Sequence, residues 1–356
     1  MLGGIHYHSN KNAGQTKSMV EEVSDERKAK GPMTKEPMAV FQTVVQSSLI
    51  RHWDFFGAIA AAVFAAIFFA VRMTVQDNIP VVAAFYYASP WAVIFFLATF
   101  AGSVFYRYSR KRLAFAFAAL AIVSCFGWFF TCFGNQRVRE AHGPPHRIVF
   151  WNMGYKMFQR PGMADELNRL NADIIAIAEA PGNSRKLRRY AEQQFPDYVC
   201  AGRFRGLWLL CKGQILSDSE ERLGDTARLK TVHLKLQDQE IRVAILDINS
   251  FPLADRRTPM VEIVSRTEQW SDMPTLLVGD FNTPVDSNHV GLLRTKLTHA
   301  FKDVGHGYLP TWPAPFPIMQ IDHVMGNEKV TFLRASAEWT WRSDHRPLVV
   351  EFEVNE

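Results

Sequence analysis

The sequence predicts an α+β sandwich carried behind three transmembrane helices, and three observations predict it. First, Phe55–Val71, Pro80–Tyr106 and Leu113–Gly134 contain no charged residue, in a chain of 356 residues that is only 48% hydrophobic. Each run approaches or exceeds the ~18 apolar residues expected of a membrane-spanning helix. Second, no uncharged run of that length follows Pro145. Third, the chain beyond that point is a series of short apolar strands with few helices between them, which fits a sandwich better than a regular parallel sheet. A fully soluble protein is excluded, and so is a polytopic transporter filling the whole chain.

The elements follow in order. Residues 1–51 are polar, lack a secretory cleavage pattern and are expected to be a disordered cytoplasmic segment. Residues 52–134 hold the three spans, and 135–146 form a polar linker ending in Gly143-Pro144-Pro145. Seven Lys/Arg precede Phe55, one lies in the loop 72–79, and four (Arg107, Arg110, Lys111, Arg112) lie between the second and third spans. Short loops rich in Lys/Arg stay in the cytoplasm. That rule places the N-terminus and the second loop inside, and the C-terminal domain outside, in the periplasm or its equivalent.

The charge balance divides at the same place. Up to His142 there are 14 Lys+Arg against 8 Asp+Glu, and from Gly143 onward 26 against 27. The domain is thus nearly neutral and lacks the basic footprint of a duplex-binding protein. Nucleic acid stays a possible substrate but is not favoured.

Within residues 147–356, Arg147–Asn152, Asp173–Ala178, Asp197–Ala201, Leu207–Lys212, Thr231–Leu236, Arg242–Ile248, Pro274–Gly279, Ile321–Met325, Val330–Ala337 and Pro347–Val354 read as strands. Met163–Leu170, Ser184–Gln194, a segment around Met260–Val264 and Val290–Leu297 read as helices. Cys200 and Cys211 flank a hairpin around Gly202 and Gly206. They either pair in an oxidising compartment or stay as free core thiols. No Cys/His metal spacing is present. The aromatic and proline-rich stretch Tyr308–Met319 is either a rim loop touching lipid or substrate, or rigid packing.

Polar residues collect where the strands end: Asn152, Glu179, Asp280-Phe281-Asn282, Asp322-His323 and Ser343-Asp344-His345. A carboxylate closing an apolar strand is costly to bury without a partner or metal. Several such ends meeting on one rim would make an oxygen-rich site for a hard cation, with imidazoles left for acid–base work or phosphate contact. Singly each has a plain alternative: a satisfied turn at Asn152, an Asx turn at Asp280-Phe281-Asn282, a surface pair at Asp344-His345. Their joint order is the signal.

Those segments resemble the endonuclease/exonuclease/phosphatase superfamily: Trp151-Asn152, Ile177-Ala178-Glu179, Gly279-Asp280-Phe281-Asn282, Ile321-Asp322-His323 and Ser343-Asp344-His345-Arg346-Pro347. Thr311-Trp312-Pro313 looks like its bacterial membrane-anchored branch. The resemblance covers about Arg147–Glu356 and implies a four-layer fold, two β-sheets flanked by helices. It implies a divalent metal, Mg²⁺ or Mn²⁺, held by Glu179 with Asn152 beside it and Asp344 completing the metal side. It further implies that Asp280 orients or deprotonates water, that Asn282 holds the scissile phosphate, and that His345 contacts a phosphate oxygen, its ring fixed by Asp322. Two positions depart from the pattern. Asn249 stands where many members carry a His, so leaving-group protonation would fall to Asp247, a water or nothing. Gly154 stands where some nucleases of the family have an Asp. Arg256 and Arg257, at the start of the next helix, either reach a substrate phosphate or form a solvated first turn; Asn249 and Arg257 are the expected substrate contacts. The expected activity is a membrane-anchored, metal-dependent phosphoesterase. A membrane-tethered nuclease, or a catalytically silent scaffold on the same fold, is the alternative; loss of Glu179, Asp280 or His345 would favour the scaffold, and none is lost.

Overall fold

The computed structural model describes residues 36–155, 162–181, 184–202 and 206–355. Residues 1–35, most of the expected N-terminal segment, lie outside them. The chain divides into two units, Met1–Gly57 and Ala58–Glu356. Helix α1 is Glu36–Met73, so helix begins ahead of the expected start at 52.

The second apolar run is not one straight span. It forms α2, Pro80–Tyr87, and α3, Trp91–Arg107, at 69° to each other. The break falls at Pro90, which offers no N–H and turns the preceding residue away from helical geometry. Helix α4, Lys111–Cys132, is continuous. Two helical segments, His52–Met73 and Lys111–Cys132, are long and apolar enough to cross a membrane, and the bent pair would make a third.

The remainder is built on two six-stranded mixed sheets. Strand β1 is His146–Asn152, followed by α5 (Met163–Leu170), β2 (Ile174–Ala178), α6 (Ser184–Gln194), β3 (Val199–Ala201), β4 (Trp208–Cys211) and β5 (Gln214–Leu223). Then come β6 (Ala227–Leu236), β7 (Gln239–Ile248), α7 (Arg257–Thr267), β8 (Thr275–Asp280), α8 (Asn288–Leu293), β9 (Thr298–His299) and α9 (Ala300–Val304). Finally β10 is Asp322–Gly326, β11 Val330–Ala337 and β12 Leu348–Val354. One sheet runs β11-β12-β1-β2-β4-β3, the other β5-β6-β7-β8-β10-β9. Strand β5 is absent from the sequence reading for a physical reason. It is an edge strand, QILSDSEERL, exposed along nearly all its length, and edges kept soluble by charge lose the apolar alternation that marks a strand.

Alternation sets the two faces of each strand. Ile148 and Phe150 of β1, Val243 and Ile245 of β7, and Leu276 and Val278 of β8 fill the layer between the sheets. Val149 and Trp151 pack beneath α5 and α6, while Ala244, Leu246 and Leu277 pack beneath α7 and α8. The same rule decides the cysteines. Cys200 lies opposite Leu210 and Cys211 opposite Val199, so the two thiols are on opposite faces, Cys211 between the sheets and Cys200 toward the helices. Both are free, the second of the two alternatives open from the sequence.

The helices and the domain meet within the second unit. Buried Arg72, at the end of α1, donates to Ser89 O (2.7 Å) and Asp286 Oδ2 (2.6 Å). Asp77, in the loop after α1, accepts from Ser287 Oγ (2.5 Å) and the Asn288 amide (3.0 Å). The stretch expected to be a linker is tied down as well. Gln136 N donates to Gly305 O, and Arg139 pairs with Asp303.

Candidate active site

Strand register assembles the site. Asp247 on β7 lies opposite Asp280 on β8, and Asp280 lies opposite Asp322 on β10. All three continue, at period two, the face that carries Val243, Ile245, Leu276, Val278 and Val324 into the core. Asn152 does the same at the end of β1, in register with Ala178 on β2. Where the two sheets part at one end, the inter-sheet layer therefore changes from aliphatic to acid and amide.

The close alignment of Asp247 and Asp280 depends on Gly279. A Cβ at that position would sit 1.9 Å from Leu246 O, so any side chain would force β7 and β8 apart. Two further backbone positions are unusual. Glu179 and Asn282, which follow the ends of β2 and β8, have φ of +51° and +49°. Asn tolerates that region; Glu does so at a cost, and such strain persists where surrounding structure imposes it.

Asp280 is fully enclosed and accepts two hydrogen bonds, from Asn152 Nδ2 (2.8 Å) and the Asn282 amide (2.8 Å). Asn282 Nδ2 donates to Ile248 O (2.7 Å), which pins the loop after β8 to the end of β7. Asn152 Oδ1 accepts from the Gly154 amide, so the residue standing in place of an Asp orients Asn152 through its backbone. His345 enters from the loop before β12. Its Nδ1 lies 2.9 Å from Asp322 Oδ2 and its Nε2 3.8 Å from Asp280 Oδ2. Burial works against charging this ring, but Asp322 and Asp280 outweigh it and push its pKa up to about 10. Asp280 is held well above the usual carboxylate range by burial and then by the facing Asp322, with His345 opposing.

Above this cluster opens a polar cavity of about 410 Å³. Glu179, Asp247, Asn249, Asn282, Tyr155 and Arg228 line it. Arg228 lies opposite Asp247 in the β6–β7 ladder and pairs with it at 3.1 Å. Burial nevertheless raises Asp247 to about 6, Arg228 opposing and Glu179 adding to the rise. Asp344 is half-buried and lines neither this cavity nor the apolar one discussed below; Arg257 is exposed at the start of α7. Arg256, its neighbour, is 3% exposed. Arg346 donates to Tyr308 O and Pro310 O (2.9 and 2.8 Å) and also to Ala337 O, fixing the loop ahead of β10. Burial lowers its pKa to about 10.

Two groups of side chains are candidates for holding a divalent cation. Asp280, Asp322 and His345 bring one ligand atom each within 4.8 Å of one another, and Asp322 Oδ1 is buried without a hydrogen-bond partner. An imidazole held between two carboxylates is itself a cation, however, and better suited to an anion than to a metal. Glu179 and Asp247, acceptor-only groups facing one polar cavity, form the second group and fit a hard cation without that conflict.

Arg228 is missing from the set that the sequence suggests, and Asp247 and Arg256 enter it only as open alternatives. The signal for the first two is the unbroken alternation of β6 and β7, which carries a charged residue of each strand onto the core face.

The fold and this acidic rim define a phosphoester-hydrolase class of α/β sandwich. The family model described as "Endonuclease/Exonuclease/phosphatase family" matches residues 149–345, and the chain belongs to that family. Its members are hydrolases acting on phosphoesters. Among solved structures, it is similar to an endonuclease/exonuclease/phosphatase family protein from Bacteroides thetaiotaomicron, at 16% identity and a TM-score of 0.52 over 61% of this chain and 100% of that one. A humanized D. rerio TDP2 (13% identity, TM-score 0.50) covers 59% of this chain and 99% of its own. A mannosyl-6-phosphatase from Bacteroides thetaiotaomicron (15%, TM-score 0.50) covers 58% and 99%. These likenesses establish the shared fold. No curated protein matches the chain.

Proposed function

We propose that this protein is a membrane-anchored, Mg²⁺-dependent phosphoesterase whose catalytic domain lies on the extracytoplasmic side. The observation that carries the reading is the buried row Asp247–Asp280–Asp322, with His345 against two of its members and Asp247 opening into a cavity that Glu179 also lines. A buried row of like charges is costly. It makes physical sense where substrate and cation supply the compensating charge.

Glu179, with Asn152 and Asp247 near it, would hold the cation, which when bound offsets phosphate charge and polarises the ester. His345, charged between Asp322 and Asp280, offers a hydrogen bond to a phosphate oxygen, and Asn282 offers an amide. Asp280 is oriented by Asn152 and the Asn282 amide, and it takes the proton of the attacking water. With Asp247 turned to the cation, the proton for the leaving oxygen would come from water in place of the histidine absent at Asn249.

Membrane anchoring is supported by the apolar helices and by Phe115, Phe126 and Phe130, which point outward on α4. The orientation is supported by two independent features. The loop after α1 docks on the domain, so the two share one side of a bilayer, and the basic loop 107–112 would stay in the cytoplasm. The test is hydrolysis of bis(4-nitrophenyl) phosphate and 4-nitrophenyl phosphate by the full chain in detergent. Turnover should require Mg²⁺ and vanish with EDTA; equal rates with and without chelator would reject the metal-dependent reading. Protease added to sealed spheroplasts should remove the domain beyond Pro145, and full protection would reverse the orientation.

A further inference from the structure

A second cavity, of about 360 Å³, lies between the membrane helices and the catalytic domain. Ala84, Ala88 and Val93 of the bent α2–α3 pair form one wall, and Trp312, Ile318 and Met319 form the other. Its apolar lining contrasts with the acidic cavity, yet the two share Ser250 and Asn282. The slot therefore ends at a residue of the site rim. Arg256 stands in the slot, 3% exposed. Its guanidinium lies over the Tyr87 ring at 4.2 Å, reaches Ser250 O and Pro252 O only at 3.2 and 3.4 Å, and has a buried Nε with no partner. A buried cation with an unused donor, placed between an apolar slot and a phosphoester site, has spare capacity for an anionic head.

We propose that the slot binds a hydrocarbon tail of a bilayer phospholipid and so makes a membrane lipid phosphoester the substrate of the site described above, an inference that rests on the phosphoesterase reading. Three features favour this occupant over a soluble one. One wall is made of helices apolar enough to lie in a membrane, so a tail enters without crossing water. The 69° bend at Pro90 sets α2 over the domain, where Tyr86 donates to Asp286 (3.0 Å); a straight span would leave no such wall. The two domain loops that supply Ser250, Pro252, Trp312 and Ile318 also expose Phe251, Leu253 and Phe316, apolar tips suited to the bilayer interface. A tail in the slot would bury apolar surface on both walls while Arg256 and Asn282 receive the polar head. The docked linker and the Arg72–Asp286 pair hold the walls in register.

The test uses full-length protein in vesicles of phosphatidylglycerol that contains a trace of a diazirine-acyl analogue. After photolysis, label should concentrate on peptides spanning 84–93 and 312–321. Ala88→Trp, which fills the slot, should cut that label at least fivefold, and Arg256→Gln should cut it at least threefold. Label confined to the outward face of α4 in the unsubstituted protein would overturn the proposal whether or not the variants fold, and so would displacement of the slot label by a water-soluble phosphoester alone. Labelling needs no turnover. A protein that labels in the slot but hydrolyses nothing rejects the catalytic reading and keeps the slot; one that hydrolyses soluble esters without slot label does the reverse.

Discussion

Replacing Asp280 by Asn separates chemistry from stability, because the structure makes the two effects run in different directions. Asp280 accepts from Asn152 Nδ2 and from the Asn282 amide, both at 2.8 Å. An Asn there keeps one acceptor and turns an NH₂ toward the other donor, a mismatch worth about 1–3 kcal/mol. Against this, the substitution removes a buried negative charge that faces Asp322, relief of the same order. It also weakens the hold on His345, which keeps Asp322 at 2.9 Å. The balance is a metal-free melting temperature within about 4 °C of the parent, since roughly 1 kcal/mol shifts a domain of this size by about 2–4 °C. Turnover should behave differently. A positioned carboxylate that takes a proton from water contributes ~10²–10⁴-fold, and Asn cannot take that proton. The assay is kcat for a nitrophenyl phosphodiester with Mg²⁺, paired with tryptophan-fluorescence melting in EDTA. A fall of less than about threefold with the fold intact would show that Asp280 is not the group that activates water.

Glu179→Gln should raise the Mg²⁺ concentration needed for half-maximal turnover at least tenfold while melting in EDTA is unchanged; an unaltered Mg²⁺ titration would remove Glu179 from the metal site. Gly279→Ala brings a methyl against Leu246 O, and overpacking of this kind costs ~1–3 kcal/mol or more; a well-folded variant with full turnover would show that β7 and β8 can part without misplacing Asp247 and Asp280. Asp247 has its pKa raised from 3.8 to about 6, so its burial is free of penalty below pH 4 and destabilises the fold increasingly as pH rises through 6. At about 1.4 kcal/mol per pH unit, Asp247→Asn should be more stable than the parent by up to about 3 kcal/mol at pH 8 in EDTA and equal to it at pH 4. A pH-independent difference would place the charge of Asp247 in solvent.

Much of this molecule is legible in local pattern. The ends of α5, α6 and β11 match their sequence ranges because periodicity and capping residues are local properties. Asn152, Glu179, Asp280, Asn282, Asp322 and His345 stand out because a polar residue closing an apolar run is visible without a fold. Exposed β5 escaped notice because its pairing with β6, and not its own apolar spacing, makes it a strand. The state of the cysteines, the bend in the second apolar run and the docking of the linker are not legible for a related reason: each depends on which face or neighbour a residue meets. Sequence by itself determined the division into apolar helices and a strand-rich domain, and the chemistry of the strand ends, since composition and period are carried one residue at a time. Only the tertiary structure decided that Asp247, Asp280 and Asp322 share one row, that buried Arg256 and exposed Arg257 part company, and that the helices close an apolar slot onto Asn282. Register and packing between distant segments are properties of pairs of strands and helices, and no single segment carries them.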